Sequence, residues 1–128
     1  MIALTGELGV GKTVLARAFI RALCGIDTEV PSPTFTLLQT YDGAGGLQIC
    51  HFDLYRLEAP DEALELGIDE AFADAVSLIE WPERLGGYLP QTNLSVTLLQ
   101  SAGADQRQVM IKGGGDWPER LRKAGLGD

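Results

Sequence analysis

Cysteine is scarce in this sequence, histidine occurs once, and apolar runs are short. Each shortage removes a class of protein. The two cysteines, Cys24 and Cys50, stand far apart and match no metal-ligand spacing. They read as two reduced, small core residues. No stretch reaches the roughly 18 apolar residues that a membrane-spanning helix needs. The opening "MIALTGELG" has no basic start and turns at once into glycines, so no secretion signal is legible. Positive charge is also in short supply. Ten Lys and Arg face 18 Asp and Glu, for a formal net charge of −8. A domain that grips nucleic acid unaided usually presents a basic face, because neutralising phosphate supplies most of the affinity. The locally basic segments "RAFIRAL" and "ERLRK" read as solvated helix faces. Any nucleic-acid chemistry would then run through a partner. Together these shortages describe a soluble cytoplasmic protein.

What is present is an ordinary globular composition. Apolar residues make up 45% and charged residues 22% of a 128-residue chain, enough for one domain with a real core. Met1–Thr5 reads as a short buried strand that stops at Gly6. From Lys12 to Leu23, apolar residues recur at helical spacing: Val14, Leu15, Ala18, Phe19, Ala22 and Leu23. These are expected to form the buried face of a helix that Gly25 closes. "VPSPTF" is a stiff loop. "TLLQTY" and "LQICHFDLY" read as strands joined by the turn "DGAGG". "PDEALELG" predicts a helix with Pro60 at its start and Gly67 at its end, and "DEAFADA" a second short one. "VSLIE" suits a central parallel strand that carries an acid at its carboxyl end. "WPERLGGYLP" reads as a short helix and turn, "NLSVTLLQ" and "RQVMIKG" as a late strand pair, and "DWPERLRKAG" as a closing helix.

One motif carries the chemistry. "GELGVGKT", Gly6 to Thr13, matches the phosphate-loop pattern G-x-x-x-x-G-K-[ST] in full. Glycines let the backbone curl so that its N–H groups converge on phosphate oxygens. The helix that starts near Lys12 adds its positive end. An apolar strand before and an amphipathic helix after supply the context that this motif requires. The loop segment Glu7, Leu8, Gly9, Val10, Gly11, Lys12, Thr13 and Val14 is therefore expected to hold the nucleotide. Lys12 reaches the β- and γ-phosphates, and the Thr13 hydroxyl ligates Mg²⁺.

Such a loop needs acids to organise metal and water. Two candidates end apolar strands: Asp53 after "LQICHF" and Glu80 after "VSLI". Glu80 follows the cleaner apolar run and is taken as the metal-side acid. Which of the two positions the attacking water stays open. His51 shares a strand face with Asp53 and reads as a packed or hydrogen-bonded structural residue rather than a catalytic one. Trp81 either stacks on a base or partner or anchors the core. Ser32 and Thr34, on the rigid "PSPTF" loop, are either γ-phosphate sensors or plain turn residues.

Taken in order and spacing, "GELGVGKT", "PSPTF", "HFDLYR", "GIDEAF" and "LIEWPE" resemble the TsaE family, the bacterial phosphate-loop ATPases of tRNA threonylcarbamoyladenosine biosynthesis. The resemblance covers about residues 1–90 and fades in the late strands. It implies an ATPase that docks on a TsaB–TsaD heterodimer and supports modification of adenosine 37 in tRNA, with TsaD making the transfer. Carried over by motif, Lys12 and its loop bind phosphates and Thr13 and Glu80 hold Mg²⁺. Asp53 becomes a catalytic or switch acid, and Trp81 a functional neighbour of Glu80.

Two departures stand out. The family normally has a strand and a helix ahead of the phosphate-loop strand, so the chain is expected to be a phosphate-loop ATPase domain without that segment. Val14 also replaces a threonine that the family often carries next to Lys-Thr. Two rivals remain. One is a small-molecule kinase, although no lid-like cluster of arginines is legible. The other is an ATP-switched partner subunit with negligible hydrolysis of its own. A GTPase is disfavoured because the guanine-reading N-K-x-D motif is missing. The expected fold is a single α/β domain: a mostly parallel sheet flanked by helices, with late strands that pair antiparallel, and the site at the carboxyl ends of the parallel strands.

Overall fold

The computed structural model describes residues 1–33, 36–103 and 105–126. A six-stranded sheet runs through the molecule in the order β2-β3-β4-β1-β5-β6. Its strands are β1 (Ile2–Thr5), β2 (Leu38–Asp42), β3 (Gln48–Asp53), β4 (Val76–Glu80), β5 (Leu94–Gln100) and β6 (Arg107–Gly113). The four inner strands β3, β4, β1 and β5 are parallel. The hairpin partners β2 and β6 run antiparallel at the two edges. Around the sheet lie α1 (Lys12–Cys24), α2 (Glu62–Glu65), α3 (Ile68–Asp74) and α4 (Trp117–Lys123). A 3₁₀ turn over Pro82–Tyr88, kinked at Gly86, follows β4.

Alternation along each strand divides the core into two layers. Ile49 and Leu78 face α1 and pack with Leu4, Ala16, Ile20, Leu94 and Val96. Phe52 and Ile79 face the other way and pack with Leu57, Ala63, Ile68 and Leu85. "VSLIE" is indeed the central parallel strand: β4 lies between β3 and β1, buried from Ser77 to Glu80. The expected late pair is β5 and β6. Cys24 is half-buried at the end of α1, Cys50 is buried in β3, and both are free thiols.

Two expectations need correction. The buried face of α1 is not the predicted stripe. Lys12, Ala16 and Ile20 are buried, whereas Val14 is 64% and Leu23 38% exposed, and Ala18 and Ala22 are also exposed. The glycine loop ahead of the helix sets this phase. Lys12 points into a cleft beside the sheet, and a helix then turns Ala16 and Ile20, four and eight residues on, to the same side. The small Ala16 also lets the helix sit close to the strands. The second correction concerns Pro60. It lies in a turn, and α2 starts only at Glu62. The Glu62 carboxylate accepts hydrogen bonds from the backbone N–H groups of Glu58 and Ala59 at 3.2 and 3.0 Å, which holds the chain in the turn before the helix.

Candidate nucleotide site

β1 delivers the chain into the loop at Gly6. A side chain there would place Cβ 2.7 Å from the Leu98 carbonyl oxygen, so only glycine lets the loop pass so close to β5. At Gly11 nothing crowds the position, but φ is 117°, and the left-handed backbone again favours glycine. α1 begins there without a side-chain cap and with no acid in its first turn. Its first N–H groups are thus left for another acceptor, and the helix dipole favours an anion. Arg107 of β6 adds support that sequence reading missed. Its Nε donates to the Val10 carbonyl at 2.9 Å. In a trans peptide C=O and N–H point opposite ways. Holding that carbonyl therefore turns the Gly11 N–H away from Arg107, and Gly11 lines the cleft.

The cleft has a volume of about 260 Å³ and is lined by the loop, the start of α1 and the ends of β3 and β4. Leu8, Gly9, Gly11, Lys12, Thr13 and Val14 contribute, as do Asp53, Tyr55, Glu80 and Trp81. Of the predicted loop residues, Glu7 is exposed and Val10 is buried in the core, and neither lines the cleft. Ser32 is exposed and does not line it either. Thr34 lies outside the described residues.

The two candidate acids meet because their strands are in register. Asp53 and Glu80 are paired neighbours on β3 and β4, and Leu4 stands opposite Glu80 on β1. Asp53 is 4% and Glu80 2% exposed. The Thr13 hydroxyl donates to both Glu80 oxygens, at 2.9 and 3.0 Å. The Asp53 carboxylate accepts the Tyr55 backbone N–H at 3.1 Å, which fixes the turn that leaves β3. The His51 ring is also in reach, with Nε2 2.7 Å from Glu80 Oε2.

Lys12 is 5% exposed. Its Nζ donates to the Gly6 carbonyl at 2.6 Å and lies 3.5 Å from the centre of the Trp81 ring. Burial pushes its ammonium below the usual lysine value, and Glu80, Glu83 and Asp53 push it partly back up. Trp81 has a left-handed backbone with φ 59°. That conformation costs a non-glycine residue about 1–2 kcal/mol. Tyr55 stacks on the Trp81 ring with centroids 4.9 Å apart. Sequence reading left Trp81 between stacking and core anchoring; the structure places it against the site lysine. Tyr55 was missed. It stands two residues after Asp53, but β3 ends at Asp53, so strand alternation carries no signal for it.

The arrangement offers a cationic side chain, backbone donors at a helix start, and a hydroxyl–carboxylate pair with a second acid beside it. That is the equipment for binding a phosphate chain together with a hard cation. The family described as "Threonylcarbamoyl adenosine biosynthesis protein TsaE" matches residues 1–109. A protein from Rickettsia bellii named "tRNA threonylcarbamoyladenosine biosynthesis protein TsaE" is 46% identical over 98 residues, 77% of this chain and 67% of that protein. A protein of the same name from Rickettsia conorii is 45% identical over 98 residues, 77% of this chain and 55% of that one. The chain thus spans between about half and two thirds of the length of these relatives. The crystal structure of YdiB from Bacillus subtilis superposes with a TM-score of 0.74 at 32% identity, covering 96% of this chain and 74% of that one. With a family match that runs from β1 into β6 and a solved relative of the same fold, this chain belongs to the TsaE family.

Proposed function

We propose that this chain binds ATP with Mg²⁺ and hydrolyses it in support of tRNA threonylcarbamoyladenosine formation at adenosine 37, docked on a TsaB–TsaD pair in the cytoplasm. The observation that carries the reading is the meeting of Lys12, Thr13, Asp53 and Glu80 in one cleft at the carboxyl ends of parallel strands. The loop N–H groups and Lys12 would bind the β- and γ-phosphates. Thr13 and Glu80 would hold Mg²⁺. Among the described residues, no cluster of three or more His, Cys, Asp or Glu side chains forms a metal cage. A single carboxylate with a hydroxyl suits Mg²⁺, which keeps waters and takes its remaining oxygens from substrate phosphates. The bound ion would neutralise charge on the phosphates. Asp53, buried beside Glu80, would then be the acid left to orient water. The net charge of −8 supports a role in which partners hold the tRNA.

The test is ATP hydrolysis by this chain, alone and with the TsaB–TsaD pair, beside Lys12→Ala. Hydrolysis that rises with the pair and falls at least a hundredfold in the variant is expected, because Lys12 is the side chain that offsets phosphate charge. ATP binding without hydrolysis in either condition would make the chain an ATP-switched subunit instead. Transfer of labelled phosphate to a small acceptor would make it a kinase.

A further inference from the structure

His51 is the single histidine, and its side chain is wholly buried. Nε2 lies 2.7 Å from Glu80 Oε2. A carboxylate oxygen at that contact accepts, so Nε2 carries the hydrogen. The other nitrogen, Nδ1, is buried and has no hydrogen-bond partner among the described residues. Buried polar atoms are nearly always paired, and an apolar side chain of similar size would fill the same space without an orphan. Packing therefore accounts for the volume of the ring but not for its choice. Among the described residues, the polar contact of the His51 side chain is with Glu80.

Glu80 is held from two sides. Thr13 touches both of its oxygens from the cleft side, and His51 touches Oε2 from within the core. Asp53 stands beside it in register, so two buried carboxylates share one patch of sheet. Without a donor in the core, holding Glu80 beside that neighbour would fall to the exchangeable contact with the Thr13 hydroxyl. His51 does not line the cleft, so it can act on a bound group only through Glu80.

We infer that His51 is a positioning residue: its Nε2–H holds Oε2 so that the Glu80 carboxylate keeps its place against the Thr13 hydroxyl, where the proposed Mg²⁺ would bind. The inference rests on the Mg²⁺–nucleotide reading of the cleft. Its test is calorimetric binding of a non-hydrolysable ATP analogue with and without Mg²⁺, for the parent chain and for His51→Leu, His51→Asn and His51→Gln. Partners that orient a metal ligand are typically worth 10- to 100-fold in metal affinity. The gain in affinity on adding Mg²⁺ is expected to fall about tenfold or more in the Leu and Asn variants. The Asn amide is too short to reach Glu80. The Gln amide nitrogen reaches the place of Nε2, so that variant keeps the gain within about twofold. Affinity without Mg²⁺ stays level throughout. A parental Mg²⁺ gain in the Leu and Asn variants would overturn the inference, as would a Gln variant as impaired as Leu. Should the Leu variant not fold, the contrast of Asn against Gln decides alone. A parent chain that gains nothing from Mg²⁺ would instead overturn the reading of the cleft itself.

Discussion

In Lys12, burial and the proposed phosphate binding would be coupled through one side chain. It is nearly covered, and burial holds its ammonium below the ordinary lysine range. Phosphate oxygens favour the charged form, so a bound phosphate must raise it. A group whose proton is held more tightly in the complex takes up a proton on binding. If ATP binds as proposed, its affinity is expected to be greatest below the free-protein value and to decline as pH rises from that value toward the bound one. Titration calorimetry with an ATP analogue from about pH 7 to 10 should show this alkaline decline, with a slope approaching tenfold per pH unit at most. The Lys12→Ala variant should bind weakly and without it. The residues of the motif were legible because their job is local: the loop, the lysine and the hydroxyl are contiguous. The contact of His51 with Glu80 was not, because 29 residues separate them and only the β3–β4 register brings them together.

At the level of elements, α1 is the informative case. Period alone placed its apolar stripe toward the core, yet the helix turns so that Ile20 is buried and Leu23 is 38% exposed. The phase is set at one end by Lys12, and the rest of the helix follows. Ile20→Ala should then cost about 2–5 kcal/mol in denaturant unfolding, and Leu23→Ala under about 1 kcal/mol. The reverse order would restore the stripe read from spacing. The link from β6 to the phosphate loop is a second element-level feature. Arg107 holds the Val10 carbonyl. Losing that hydrogen bond should weaken ATP binding about three- to tenfold, since a typical hydrogen bond contributes about 0.5–1.5 kcal/mol net. Arg107→Ala with unchanged nucleotide affinity would show that the loop keeps its shape unaided.

For the whole molecule, charge is the governing quantity. With −8 net, the chain repels polyanions, and no broad basic face offsets it in the sequence. The chain alone should not retard tRNA in a gel or filter assay at about 150 mM salt, and retention should require partner proteins. Tight binding by the chain alone, falling steeply with added salt, would contradict this and point to the basic residues of β6 and α4. The acidic balance and the small core are properties of composition, so they could be read before any fold was known.

The local equipment was written into contiguous residues: a strand, a glycine loop and a helix start, with acids ending two apolar runs. Backbone geometry and short-range periodicity demand those residue types at those spacings, so they survive translation into structure. Strand order, the rotation of α1, the seat of Lys12 against Trp81 and the grip of His51 on Glu80 depend on what stands across from each residue. That information is absent from any local stretch, because it arises only when register and packing choose the neighbours.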